Sequence, residues 1–419
     1  MTKKHHLKWL IWGLAALFYF YEYILRVSPQ VLKNNLMLDF GINASAFGVM
    51  SAFYLFAYTP MQLPVGVMID WFGVKKLLSG ASLVCGLGAI FFSLANSAAI
   101  ACFGRLLIGA SSAFAFVSMV YISSHWFPKK QRALLIGLAN SIAMVGASFG
   151  GGPLASIIKL TGWRVAIFAF GLFGIILAIF IYLVIRSDDK DKSIEEASYH
   201  KPTPLKQSLK SVFSNWKSWV NAIVAISLYM TTTAFAGLWA VSFIQEAHHV
   251  TKTVAGYCSS VFFLGWLVGG PIIGFISDRL NLRLVVLRYS IVLAAITLTA
   301  IIFITNIPLW VVFTLMFVLG VFSSAELLNF SISIEVNAAY VKATAAAFTN
   351  FMVSVGDSIA QPLIGFVLDM RWQGAIVDGI RMYKVADYQF ALAFLPITMI
   401  IGFFVSFILK ETASENLVK

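Results

Sequence analysis

Residues 64–76 read Pro-Val-Gly-Val-Met-Ile-Asp-Trp-Phe-Gly-Val-Lys-Lys and separate two long apolar segments. Gly66 and Asp70 are four residues apart, so a helix places them on one face at its end. Gly73 then permits a tight turn before Lys75 and the next apolar segment. The stretch is therefore a predicted helix–turn–helix joint.

The joint recurs at a constant offset of 208 residues, within residues 271–283. Gly66, Asp70, Gly73 and Lys75 map onto Gly274, Asp278, Asn281 and Arg283. Asn in place of Gly at the turn is conservative, because Asn tolerates the left-handed backbone conformation. The repeat predicts two parallel halves that are related by an axis along a membrane normal.

Composition excludes a soluble protein. The chain has 419 residues, of which 60% are hydrophobic and only 11% charged, and its mean hydropathy is +0.86. The net charge of +12 does not indicate a nucleic-acid partner, because the basic residues lie in the short gaps between apolar segments. Cys85, Cys102 and Cys258 lie inside apolar segments, so neither a disulfide framework nor a metal site is predicted.

Twelve apolar segments are long enough to cross a bilayer, and because they are continuous rather than alternating they predict helices. They cover residues 8–31, 46–69, 76–95, 98–124, 132–158, 164–186, 218–244, 253–277, 284–305, 308–334, 343–368 and 388–410. The predicted fold is an all-α membrane protein of two six-helix bundles. The bundles occupy residues 1–186 and 218–419, and a polar cytoplasmic linker, 187–217, joins them.

Lysine and arginine fix the expected orientation. They concentrate on the side that holds Lys75, residues 129–132, the linker and both termini. Cytoplasmic loops carry such an excess, so both termini are predicted to be cytoplasmic, in a plasma or bacterial inner membrane. The opposite side, with Lys33 and few other basic residues, is called the outer side below.

Three groups of residues resemble signatures of the major facilitator superfamily. They are the joint itself, Arg105 with Gly109 in the fourth span, and residues 146–153 in the fifth, which contain four glycines and Pro153. The resemblance covers essentially the whole chain. It implies alternating access by two bundles around a central site, no cofactor, and a monomer.

A narrower resemblance rests on the aromatic residues around Glu22, on residues 26–29 and on residues 126–128. These segments are similar to the bacterial amino-acid (phagosomal-type) transporters and to the lysosomal dipeptide transporter branch. Both groups of proteins handle zwitterions. The resemblance therefore implies an amino acid or a short peptide as substrate.

Charged residues inside spans indicate function, because each costs ~2.5–3.5 kcal/mol at the bilayer centre. Arg105 can offer a bidentate donor to a substrate carboxylate, or it can form a structural ion pair or a step in proton transfer. Glu22 and Arg26 share a helix face, so they either pair or face the cavity. In the cavity Glu22 would carry a proton or bind a substrate amine. Arg26 can alternatively reach the interface.

Two carboxylates of the second half, Glu326 and Asp357, have no basic partner in their own spans, and one of them is predicted to carry the coupled proton. Asp357 is also an alternative to Glu22 for binding a substrate amine. Tyr54 and Tyr58 lie one turn apart in the second span, where they line the cavity, pack, or face lipid. The remaining candidates for substrate binding are Asn329 and Asn350.

No nucleotide-binding, zinc-protease or serine-hydrolase motif occurs in the sequence, so an enzyme is not expected. The leading interpretation is a secondary active transporter of a small polar solute, an amino acid or short peptide, driven by protons. The alternative is a drug, organic-anion or metabolite exporter of the same fold, and a membrane receptor is a remote third. The joints are predicted gating latches, so Asp70→Asn should slow turnover and spare substrate affinity.

Overall fold

The computed structural model describes residues 2–62, 64–185 and 205–411, and the linker residues 187–204 lie outside it. Nearly all of the described chain is helical. The α-helices are Thr2–Val27, Pro29–Phe40, Ala44–Met61, Val65–Leu94, Ala98–Trp126, Lys129–Phe149, Gly152–Thr161, Trp163–Val184, Leu205–Ser214, Trp216–Met230, Ala240–His248, Lys252–Leu280, Arg283–Phe303, Leu309–Ser323, Leu327–Glu335, Lys342–Arg371, Val385–Leu392 and Phe394–Ser406.

Eleven helical segments in the described residues are long and apolar enough to cross a membrane. They correspond to all of the predicted spans except the second. The second span is the 18-residue helix Ala44–Met61, which ends before Pro64. The following helix then continues to the joint. The all-helical fold of two six-helix bundles agrees with the sequence prediction.

Both joints have the predicted turn. The helix Val65–Leu94 is broken at Gly73, where φ is 77°. In the second half Asn281 caps the helix Lys252–Leu280 with φ of 56°. Both turn residues thus have a positive φ, but Asn281 lies in the left-handed helical region, with ψ of 35°, whereas Gly73 has ψ of 151°.

Several spans are interrupted within their length. The first span breaks between Val27 and Pro29, because proline has no N–H to continue the helix. The seventh span contains a π-helical stretch, Thr231–Trp239, and the tenth a 3₁₀ turn, Ser324–Glu326. Such irregular turns are frequent at functional sites.

The two halves are in close contact on the outer side. A side chain at Gly365, near the outer end of span eleven, would lie 2.2 Å from the carbonyl oxygen of Ala44 in span two. A side chain at Gly151 in span five would lie 2.6 Å from the carbonyl oxygen of Gly256 in span eight. Small residues permit this approach in a membrane, where no aqueous hydrophobic force drives packing.

Two elements were not predicted. Part of the predicted polar linker is the helix Leu205–Ser214, which packs on span eleven through Val212 and Phe213. Leu209, Val212 and Phe213 recur at helical spacing and provide its apolar face. An outer loop contains a short hairpin, Ile376–Val377 with Ile380–Arg381.

Candidate functional site

A small cavity lies where spans one, two, four, seven and eleven meet, so both halves contribute to it. The volume of the cavity is only ≈ 20 Å³. It is lined by Arg26, Val27, Ser51, Tyr54, Leu55, Arg105, Thr233, Gly237, Asp357 and Gln361. Four of the predicted site residues (Arg26, Tyr54, Arg105 and Asp357) therefore lie together.

Arg26 is the cation of this cavity that has the most free hydrogen-bonding capacity. Its side chain is buried, and one Nη donates to the hydroxyl of Tyr229 in span seven at 2.7 Å. The guanidinium also lies over the rings of Tyr23, Tyr54 and Tyr58, 5.0–5.4 Å from their centroids. The guanidinium has five N–H donors, and this bond uses one of them.

Arg105 is instead engaged by the protein backbone. Its Nη atoms donate to the carbonyl oxygens of Leu25 at 2.8 Å, Arg26 at 3.2 Å and Ser51 at 3.3 Å. Pro29 explains the first contact, because a helix would pair the Leu25 carbonyl with the N–H of residue 29 and proline has none. Arg105 thus supports the broken end of span one, and only its Nε lacks a partner.

Glu22 and Arg26 share a helix face but do not form an ion pair in this structure: among the described residues, the ion pairs involve other side chains. The buried Glu22 carboxylate instead accepts a hydrogen bond from the Tyr54 hydroxyl at 3.1 Å. Tyr54 and Tyr58 stack with ring centroids 5.6 Å apart. Tyr54 therefore contacts both charged groups, Glu22 through its hydroxyl and Arg26 through its ring.

The candidate proton carriers are in different surroundings. Asp357 is fully buried and lines the cavity; Gln361 donates to its Oδ2 at 3.3 Å, and its Oδ1 has no partner. Glu326 is also buried, in the 3₁₀ turn of span ten, with Oε1 unpartnered, but it does not line the cavity. Asn329 donates to the backbone carbonyl of Glu326 at 3.2 Å. Neither Asn329 nor Asn350 lines the cavity.

The second-half joint forms a network of charges at the inner end of its bundle. Arg283 pairs with Asp278 and, at 3.4 Å, with Glu335 of span ten. Three backbone N–H groups of residues 283–285 donate to the carboxylate of Glu411, beyond span twelve. Gly274 lines a second cavity here, together with Asp278 and Arg283.

In the first-half joint, the ammonium of Lys75 lies 4.4 Å from the ring centroid of Tyr182. Gly66 lies in the helix before Gly73. The Asp70 side chain lies outside the described residues. Its predicted latch therefore stays a prediction.

Sequence reasoning did not identify several cavity residues, notably Thr233 and Gln361. Gln361 follows Asp357 by four residues, and this spacing on one helix face could have indicated it. Thr233 lies in the π-helical stretch, whose altered periodicity the sequence does not reveal. Tyr229 lies in the same span, and nothing in the sequence distinguishes it from other aromatic residues inside a membrane helix.

A larger groove of ≈ 520 Å³ lies between spans nine and twelve. Its walls are apolar residues such as Ile291, Ile296 and Phe404, and no charged side chain lines it. All of its lining residues belong to the second half, and Ile296 and Phe404 are exposed. It is suited to lipid chains rather than to a polar solute.

The outer side of the structure is closed. Asp369 of span eleven accepts hydrogen bonds from the backbone N–H of Ala44, at 3.4 Å, and of Ser45, at 2.7 Å, at the start of span two. Lys252 of span eight donates to Asn35 at 2.8 Å. In the described part of the chain, the side-chain hydrogen bonds between the halves lie at Arg26 or further outward.

Similar proteins are transporters. The chain is 27% identical over 288 residues to an uncharacterized transporter of Bacillus subtilis, YybO, and the match spans 64% of each protein. It is 25% identical over 305 residues to a "Probable sulfoacetate transporter", SauU of Cupriavidus necator, covering 68% of this chain and 69% of that one. A "Probable hexose phosphate transport protein" of Chlamydia pneumoniae is 22% identical over 426 residues, 94% of this chain and 92% of that one. None of the three is named as an amino-acid or peptide transporter, so the narrower resemblance has no support.

The fold matches a crystal structure of a bacterial homologue of the human lysosomal transporter Spinster, in an inward-facing and unoccupied conformation. The TM-score is 0.77 at 16% identity, over 96% of each chain. A family model described as Major Facilitator Superfamily matches residues 11–361 and 221–418. The chain therefore belongs to the Major Facilitator Superfamily, and it is a multi-pass membrane transporter of small molecules rather than an enzyme.

Proposed function

We propose that the protein transports a small organic anion, and that Arg26 binds the anionic group. One observation carries this proposal: the Arg26 guanidinium faces a cavity between the halves, and its one hydrogen bond there is to a neutral phenol. A carboxylate, sulfonate or phosphate offers two oxygens to such a guanidinium, in the planar geometry that arginine recognises.

The surroundings of Arg26 suit an anion better than a zwitterion. An amino acid would also need a carboxylate for its amine, and Glu22 is buried with its Oε2 held by Tyr54. Asp357 lines the cavity on the other half and is the remaining candidate. The names of two relatives, for sulfoacetate and hexose phosphate, support an organic anion in place of the amino acid expected from the sequence.

Proton coupling is part of the proposal. Asp357 faces the same cavity as Arg26 and has one unpartnered oxygen, so a proton on it would lower the net negative charge that accompanies the substrate. Glu326 is the second candidate carrier, and it lies apart from the cavity. Asp357 could then exchange its proton when the substrate binds in the cavity, and Glu326 could exchange its proton with the inner side.

The closed outer side suits an inward-facing state of an alternating-access cycle. We propose that the bundles 1–186 and 218–419 rock about this cavity, with both termini cytoplasmic and the monomer as the working unit. The two joints would then hold the inner ends of each bundle. In this scheme Arg105 supports span one and so positions Arg26.

Uptake by purified protein in liposomes tests the proposal. We expect accumulation of sulfoacetate or glucose 6-phosphate when the lumen is made alkaline, and no accumulation of alanine or dialanine. A protonophore should abolish the accumulation without abolishing exchange.

One result would contradict the anion site, and another would contradict only the proton coupling. Uptake of alanine or dialanine with no uptake of either anion would restore the amino-acid interpretation. Uptake of an anion that does not respond to the pH gradient would remove proton coupling but leave the anion site. Protein-free liposomes and heat-treated protein provide the controls.

A further inference from the structure

Lys33 has unusual surroundings for a lysine near the outer end of the protein. It follows the break in span one, within the helix Pro29–Phe40, and is only 5% exposed. Its ammonium donates to the hydroxyl of Tyr388, in span twelve, at 2.5 Å. It also lies 5.1–5.6 Å from the ring centroids of Trp239, Tyr383 and Tyr388, which all belong to the other half.

This ammonium has no acidic partner in contact with it. In the described part of the chain, no carboxylate lies within ion-pair distance of Lys33. Burial lowers the pKa of Lys33 to about 7, and Glu246 and Asp369 oppose this shift only from further away. Asp369 is already engaged, by the N-terminus of span two and by the hydroxyl of Tyr383 at 2.6 Å. A buried ammonium without a counter-charge is costly, so it calls for a functional reason.

Lys33 and Arg26 form a pair along one face of the first span. They are seven residues apart, which is two helical turns, and the chain is helical on both sides of Ser28. A rise of ~1.5 Å per residue places Lys33 roughly 10 Å outward of Arg26. Each of the two cations donates to a tyrosine hydroxyl of the opposite half, Tyr388 and Tyr229.

From this arrangement we infer that Lys33 is an outer binding site for the anionic substrate, which the substrate contacts before Arg26. The inference rests on the proposed function, because it takes an organic anion as the ligand. In the outward-closed structure the Tyr388 hydroxyl and the aromatic faces occupy the place of the anion. When the outer side opens, these groups leave with the second half, and Lys33 faces the entrance without a counter-charge.

An ammonium that contacts aromatic rings can readily exchange those rings for an anionic substrate. Aromatic faces stabilise an ammonium without neutralising it, so they hold Lys33 on closure and release it readily. A carboxylate in their place would compete with the substrate in the open state. The same arrangement thus closes the outer side and keeps the site selective for anions.

Uptake of sulfoacetate from the outer side tests the inference. We expect Lys33→Gln to raise KM roughly three- to fivefold, the effect of one exposed charge pair, with a smaller change in kcat. Lys33→Arg, which keeps the charge, should restore most of the affinity. The dependence of KM on ionic strength should also be weaker in Lys33→Gln than in the wild type.

Tyr388→Phe is the matched control, because it removes the hydroxyl from Lys33 without removing the charge. If Lys33 served only to hold the outer side closed, Tyr388→Phe and Lys33→Gln would have the same effect on uptake. The inference predicts that Tyr388→Phe does not raise KM. An increase in KM as large as that of Lys33→Gln would overturn it.

A second measurement does not depend on the substrate. Cys85, Cys102 and Cys258 are first replaced by serine. Asn34→Cys, at a half-buried position next to Lys33, then introduces a single cysteine. An anionic methanethiosulfonate should then react faster, relative to a cationic one, with Lys33 present than in Lys33→Gln, by roughly three- to fivefold. An equal ratio would overturn the outer site. Failure of the wild type to take up either anion would instead contradict the proposed function, and this ratio would still decide the role of Lys33.

Discussion

Replacement of Arg105 by lysine and by methionine distinguishes support of the first span from direct binding of the substrate. Arg105 donates three hydrogen bonds to main-chain oxygens of spans one and two, at 2.8, 3.2 and 3.3 Å. A lysine ammonium is a single point and keeps one of these bonds at most. The other two are charge-assisted bonds of about 1.5–3 kcal/mol each, so Arg105→Lys should lower stability by about 3–6 kcal/mol.

Arg105→Met has a different balance. It removes all three bonds, but it also removes a buried charge whose desolvation costs several kcal/mol. The two effects oppose each other, so we expect Arg105→Met to be no less stable than Arg105→Lys. If Arg105 bound the substrate anion directly, Arg105→Lys would bind the substrate better than Arg105→Met, because only lysine keeps the positive charge.

Thermal unfolding of the purified protein in detergent measures the stability of the variants, and the Kd for sulfoacetate measures their substrate binding. We expect Arg105→Lys to lower the midpoint by several degrees and to weaken binding indirectly, through Arg26. Arg279→Lys, at an exposed arginine, is the control for the loss of a guanidinium. Wild-type stability in both Arg105 variants, with binding lost only in Arg105→Met, would refute the supporting role.

Two further predictions concern the proton carriers and the outer closure. Asp357→Asn should abolish accumulation driven by the pH gradient while leaving anion exchange. Glu326→Gln should have the same effect if Glu326 carries the proton. Normal accumulation in both variants would show that neither residue takes part in proton coupling. Gly365→Val should prevent the outer side from closing, since its side chain would lie 2.2 Å from the Ala44 carbonyl oxygen, and this overpacking is worth about 1–3 kcal/mol. Uptake should then slow at least fivefold, whereas Gly137→Val, where a side chain meets nothing within 4 Å, should transport normally, and equal rates for both variants would contradict the close contact.

Much of the fold follows from the sequence because the bilayer permits few alternatives. Continuous apolar segments must be helices, and the repeat of the joint relates the two halves. Asn281 shows the strength of this argument, since its positive φ follows from its match with Gly73. The break after Met61, the helix in the linker and the hairpin were missed, because each depends on tertiary packing rather than on hydropathy.

The site was predictable in composition but not in the roles of its members. Arg26, Arg105 and Asp357 were all identified as costly charges within spans, and they meet in one cavity. The partner of Arg105 was not foreseen, although Pro29 indicates a carbonyl without an N–H partner four residues earlier. Lys33 was counted only for topology, because sequence does not reveal that its partners come from spans seven and twelve and the loop between spans eleven and twelve.

Binding of an organic anion to Arg26 variants tests the central claim most directly. The Kd for sulfoacetate, or for glucose 6-phosphate if that is the anion taken up, is measured on the purified wild type, Arg26→Lys and Arg26→Gln, with Arg279→Lys as the control. We expect Arg26→Gln to weaken binding roughly 10- to 100-fold, the loss of charge-assisted hydrogen bonds worth about 1.5–3 kcal/mol, and Arg26→Lys to recover only part of it. A Kd within twofold of the wild type in both Arg26 variants would contradict an anion site at Arg26.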